Sequence, residues 1–220
     1  MIDLTPYWID IAYIAGVHLI AVMSPGPDLV MILRNTLSYS KRNGIFAALG
    51  TSSGILVHAT YTLFGLGVLI KETPVLFNGI RVVGACYLLY VGWRAIVTAK
   101  KNTDNYSFEK EESQVSAFYS WRMGFVTNVT NPMVLVLFLS IFSTVIKEET
   151  PLFIQGFFMA EVLMISLVWF LSVAFLFSVP VIRGGFKKLG HYLDQGAGVI
   201  LILLAFRILY MAWQEAGVSI

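Results

Sequence analysis

At Ser24-Pro25-Gly26-Pro27-Asp28 a carboxylate follows directly on a cluster of helix breakers, inside an apolar stretch from Ile11 to Leu33. Two prolines and a glycine in five residues remove backbone donors and interrupt regular helix, so carbonyls of the preceding turn lose their partners. Backbone broken in this way at membrane depth survives only when buried in protein or lining a wet cavity, and discontinuous helices build the substrate sites of secondary transporters. A second polar, proline-broken patch, Thr127-Asn128-Val129-Thr130-Asn131-Pro132-Met133, interrupts another apolar stretch later in the chain. Freed N–H groups and the positive end of the following half-helix suit a carboxylate, while freed carbonyls and Asp28 suit an ammonium. A zwitterion needs both. The expected substrate-binding set is therefore Ser24, Pro25, Gly26, Pro27, Asp28, Asn128, Asn131 and Pro132.

Two further residues suit proton movement. Glu161 lies inside an apolar segment, where a carboxylate is costly unless protonated or paired. His58 follows Gly50 and Gly54 at four-residue spacing, with Thr62 next, so all four share one helix face. The glycines admit a close neighbouring helix, and the imidazole is a titratable group among apolar residues. Either His58 couples protons or it is a hydrogen-bonded structural histidine. His18, a few turns before the first break, either faces the same cavity or sits in the core, and the core histidine is the better reading. Arg207 pairs with Asp194, snorkels, or attracts a substrate carboxylate, and the spacing does not choose among these.

The elements that must carry these residues are membrane helices. The chain has 220 residues, 57% hydrophobic and 13% charged, with a mean hydropathy of +0.76, which no ordinary soluble domain matches. Six apolar stretches are expected to cross: Ile11 to Leu33, Ile45 to Ile70, Val75 to Val97, Gly124 to Ile146, Leu152 to Val179, and Ala197 to Trp213. A polar segment from Thr98 to Tyr119 separates three from three. The expected division is a first three-helix repeat over 1–97, a cytoplasmic linker over 98–119 and a second repeat over 120–220. An odd number of spans per half inverts one half relative to the other. The expected fold is thus an all-α polytopic membrane protein, a 3+3 inverted repeat with helices one and four broken.

Lys and Arg set the orientation. Arg34, Lys41, Arg42, Arg94, Lys100, Lys101, Lys110, Arg122, Arg183, Lys187 and Lys188 fall on one side, against Lys71, Arg81 and Lys147 on the other. The positive-inside rule then puts the linker in the cytoplasm and both termini outside. The first apolar run lacks the basic flank and cleavage site of a signal peptide and is expected to remain as a helix. A net charge of +2 gives no reason to expect nucleic acid as a partner. The single cysteine, Cys86, excludes an intrachain disulfide. No zinc, P-loop or nucleotide motif is present, so no cofactor or resident metal is expected and an ion gradient is left as the energy source. A metal or small-ion exporter is the alternative transporter, weakened by scattered His, Asp and Glu. An intramembrane enzyme would draw on Ser24, His18 and Asp28 and is the weaker reading.

At SPGPDLVMILRNTLSYSKRNGIFAALGTSSGILVHATYTLFGLGVLI, again at GFVTNVTNP, and at the ending HYLDQGAGVILILLAFRI, the sequence resembles the LysE/RhtB family of bacterial amino-acid exporters. Asp28, the glutamate in EVLMISLVWF and the segment FSVPVIRGGFKKL look most like its threonine and homoserine efflux branch. The resemblance implies export of small amino acids across the bacterial inner membrane by proton antiport, within membrane lipid, with a homodimer as one assembly open to it. Where the family reads Asn-Pro-Lys, this chain has Asn131-Pro132-Met133, so a cation expected beside the site is missing. The family's proline-glutamine-phenylalanine ending of that helix is replaced near Ser140-Ile141-Phe142.

Overall fold

A computed structural model describes residues 5–24, 26–104 and 115–218. Pro25 and much of the expected linker lie outside the described residues. Among those described there is no strand. After a 3-10 turn at Thr5–Tyr7 come α1 (Trp8–Met23), α2 (Pro27–Arg34), a π-helical turn (Asn35–Tyr39) and α3 (Lys41–Glu72). Then follow α4 (Pro74–Asp104), α5 (Ala117–Val129), α6 (Pro132–Val145), α7 (Leu152–Leu176) and α8 (Pro180–Val218).

Three of these helical stretches are long and apolar enough to cross a membrane: Thr5–Met23, Leu152–Leu176 and Gln195–Gln214. The α5–α6 pair, bent by 57°, makes a fourth when taken as one span. Helices α3 and α4, at 32 and 31 residues, have the length for it. Both proline clusters interrupt their helices where expected. Helix α1 stops at Ser24, whose ψ of 132° is extended, and α2 restarts after an extended Gly26. Helix α5 stops at Thr130 and α6 restarts after Asn131. In both cases proline takes the first helical position, where its missing N–H costs nothing and its fixed φ already suits a helix.

Two boundaries differ from the sequence expectation. Helix α4 continues past Val97 through Thr98, Lys100, Lys101 and Asp104, because none of these breaks a helix. Helix α8 begins at Pro180, so Arg183, Lys187 and Lys188, expected in a connector, belong to a helix that runs on into the last apolar stretch. Proline at its first position and no proline afterwards let it run for 39 residues.

Small residues set the closest helix contacts. A Cβ on Gly50 would run into the Trp121 carbonyl, and one on Gly124 into that of Ala47, so α3 and α5 touch backbone to backbone. Helices α4 and α8 do the same, Gly92 and Gly198 each leaving only 2.6 Å from a built Cβ to the other's carbonyl. Such small-residue seams suit helices in lipid, where association rests on packing rather than on the hydrophobic effect. Helix α3 also packs on α7, and α1 on α7. The core between them is centred on Phe138, Phe142, Phe158 and Phe170, all essentially inaccessible.

Candidate functional site

The two breaks meet. Asp28, in the first turn of α2, accepts a hydrogen bond through Oδ2 from Asn128 Nδ2 at 3.0 Å and a longer one from Asn131 Nδ2 at 3.5 Å. Asn131 is also the N-cap of α6, its Oδ1 accepting from the Met133 amide at 3.0 Å, which fixes its side-chain amide toward Asp28. The Val134 amide goes to the Asn131 carbonyl at 3.2 Å. With Pro132 lacking an N–H, the start of α6 has therefore used up the amides that a break leaves over. The start of α2 has no side-chain cap. Asn131 thus closes the start of α6, whereas no side chain among the described residues caps the start of α2.

A cavity of about 40 Å³ lies at this junction, more than one ordered water requires. Its polar lining comes from His18, Ser24, Asp28 and Asn131, and its apolar lining includes Met133 and Phe138. Of the expected substrate-binding residues, Ser24, Gly26, Pro27, Asp28 and Asn131 all line it. Asn128 stands one layer behind, fully buried, and reaches the cavity only through Asp28. Pro132 heads α6 with its ring exposed. Pro25 lies outside the described residues.

His58 buttresses that second layer. Its Nε2 donates to the Asn128 carbonyl at 2.9 Å, so Nδ1 is the acceptor and takes the Tyr61 hydroxyl. Both ring nitrogens are held, and the ring lies parallel to Phe138. Gly54 completes the support: a Cβ there would stand 2.6 Å from Asn128 Oδ1, so only glycine leaves room for this asparagine. Glu161, half-buried on α7, is outside the cavity lining, and its Oε2 is buried with no partner. Arg207 lays its guanidinium over the Tyr13 ring, 4.5 Å from the centroid, a contact not anticipated for it.

His18 is a core histidine, as expected, and belongs to the cavity as well. It is buried, lines the cavity, and bonds Ser166 on α7 through Nε2 at 2.8 Å. The signal was the helical spacing of His18, Ala21 and Val22, which share one face of α1 and all line the cavity. No group of three His, Cys, Asp or Glu that could hold a metal occurs among the described residues.

Two broken helices meeting over a carboxylate-bearing cavity, in a bundle of helices long and apolar enough for a membrane, define a membrane transporter rather than a soluble domain. Residues 19–212 match the family model described as LysE type translocator, and the chain belongs to that family. It is 30% identical to the threonine efflux protein of Salmonella typhi over 85% of this chain and 91% of that one. The threonine efflux protein of Escherichia coli K12 is 29% identical over the same shares. The uncharacterized membrane protein YahN of Escherichia coli K12 is 27% identical over 89% of this chain and 86% of its own length. No solved structure matches the chain.

Proposed function

We propose that this protein exports a small neutral amino acid, of the threonine and homoserine kind, across the bacterial inner membrane in exchange for protons. The observation that carries the reading is the carboxylate of Asp28, tethered at Oδ2 by the second break while its buried Oδ1 has no partner among the described residues. An unfilled acceptor on a buried acid costs free energy, and an ammonium supplies the missing donor. Met133 lines the same cavity in place of the lysine that the family resemblance leads one to expect, so the substrate's ammonium faces no competing cation from that position. The substrate carboxylate goes to the uncapped first turn of α2, whose amides and dipole favour an anion. The two relatives named threonine efflux protein support the substrate class.

The architecture behind this reading is six spans in two inverted halves. Each half is a broken helix followed by two long ones: α1/α2 with α3 and α4, then α5/α6 with α7 and α8. Helix α3 packs on α7 and α4 on α8, and the broken helix of each half leans on the second helix of the other, α5 on α3 and α1 on α7. That exchange is what a two-fold axis in the membrane plane requires. Rocking of one half against the other would expose the cavity to each side in turn. Glu161 carries the proton, and His58 acts on the site through Asn128 rather than by touching substrate. Both termini face the periplasm, and the halves meet within one membrane domain.

The deciding measurement is efflux of a labelled amino-acid panel from vesicles holding the purified protein, with and without an imposed pH gradient. One neutral amino acid moving with the gradient supports export and coupling together. Flux of none of them overturns the substrate class, and flux indifferent to pH overturns the coupling.

A further inference from the structure

The geometry points to His18 as a residue that reads the substrate's side chain: we infer that its Nδ1 accepts a hydrogen bond from a hydroxyl on the transported amino acid. The inference rests on the proposed export function and deepens it. Its basis is the place of the ring hydrogen that the neighbours impose on the neutral imidazole. Ser166 has one hydroxyl hydrogen, and Ser166 Oγ donates it to the Val162 carbonyl at 2.7 Å. The 2.8 Å contact between Ser166 Oγ and His18 Nε2 must then be a hydrogen bond given by the histidine. A neutral ring with its hydrogen on Nε2 leaves Nδ1 as a bare lone pair. That nitrogen is buried and has no partner among the described residues.

Histidine 58 makes the contrast. Its Nε2 also donates to a carbonyl, but Nδ1 is filled by Tyr61, and the residue does not line the cavity. Phe138 packs against both rings, at 5.4 Å from His18 and 6.5 Å from His58. Of the two imidazoles flanking this phenylalanine, the one left incomplete is the one at the cavity. Among cavity-lining residues, the buried polar side-chain atoms without a partner are His18 Nδ1 and Asp28 Oδ1. Both are acceptors. The group that completes the site must therefore bring donors, an ammonium for Asp28 and a second donor for His18. An amino acid with a side-chain hydroxyl has this pair, and its hydroxyl-free isostere has only the first. A site built to bond a hydroxyl rejects the analogue lacking it, because the acceptor then stays buried and empty.

The test compares threonine with valine, its isostere without a hydroxyl, in competition efflux from vesicles. Wild-type protein is expected to prefer threonine by about tenfold, the worth of one such bond. His18→Gln keeps an amide able to donate to Ser166 and removes the acceptor at the δ position, so the threonine-to-valine ratio should fall close to one. His18→Asn puts an oxygen at the δ position and should retain most of the preference. Elution of each detergent-solubilised variant as a single peak establishes that it has folded. An unchanged ratio in His18→Gln, or a lost preference in folded His18→Asn, overturns the role of His18. Equal efflux of the two amino acids by the wild type does so too. Absence of efflux for both in the wild type, with another amino acid of the labelled panel moving, also overturns that role; absence of efflux for the whole panel would instead overturn the export reading itself.

Discussion

Asn128 on α5 donates to Asp28 on α2 at 3.0 Å, joining residues 100 apart in the chain and tying the second helix break to the carboxylate of the first. Asn128 is itself clamped, by His58 on its carbonyl and by Gly54 against its side chain. The acid that lines the cavity is thus positioned by a layer of residues that stand behind the lining.

Asn128→Ala should leave Asp28 with only the long bond from Asn131. Hydrogen bonds to charged groups are worth about 1.5 to 3 kcal/mol, so apparent substrate affinity should weaken by roughly tenfold or more. The substrate-concentration dependence of efflux measures it. Retained affinity would show that Asp28 is held in place by the backbone of α2 alone.

Gly54→Ala should lower both stability and transport, because its new methyl meets Asn128 within 2.6 Å. Overpacking of this kind costs about 1 to 3 kcal/mol. Gly65→Ala is the control: it lies on the same helix with nothing within 4 Å of a built Cβ, and should be neutral or slightly stabilising. Thermal unfolding midpoints of the two variants in detergent separate these outcomes.

Glu161→Gln holds the side chain permanently neutral while keeping its shape. Accumulation against a gradient should be lost, while exchange of labelled for unlabelled substrate persists. If the variant still accumulates substrate with the wild-type dependence on pH, Glu161 is a structural residue and Asp28 becomes the candidate for proton transfer.

Topology is tested by labelling. In a Cys86→Ser background, which removes the single native thiol, a cysteine placed at Asn105 should react only with a membrane-permeant reagent in intact cells. Reaction with an impermeant one would reverse the orientation inferred from Lys and Arg.

Composition and local breakers determined much of this protein from the sequence alone. An all-helical membrane chain follows from mean hydropathy and the length of the apolar stretches, since lipid leaves backbone groups no partner but each other. The positions of the two breaks follow from Pro25, Gly26, Pro27 and Pro132, because proline acts on its own turn whatever surrounds it. Helix ends were less legible at α4 and α8, where charged residues that suit water also suit a helix continuing into it. What only the tertiary structure decided is which side chains meet at the two breaks. Whether a buried histidine is finished or incomplete depends on atoms from other helices: Tyr61 and Asn128 satisfy His58, whereas Ser166 satisfies one nitrogen of His18 and leaves the other. Hydrogen bonds between distant segments carry no periodicity in the chain, so their partners emerge only once the helices have packed.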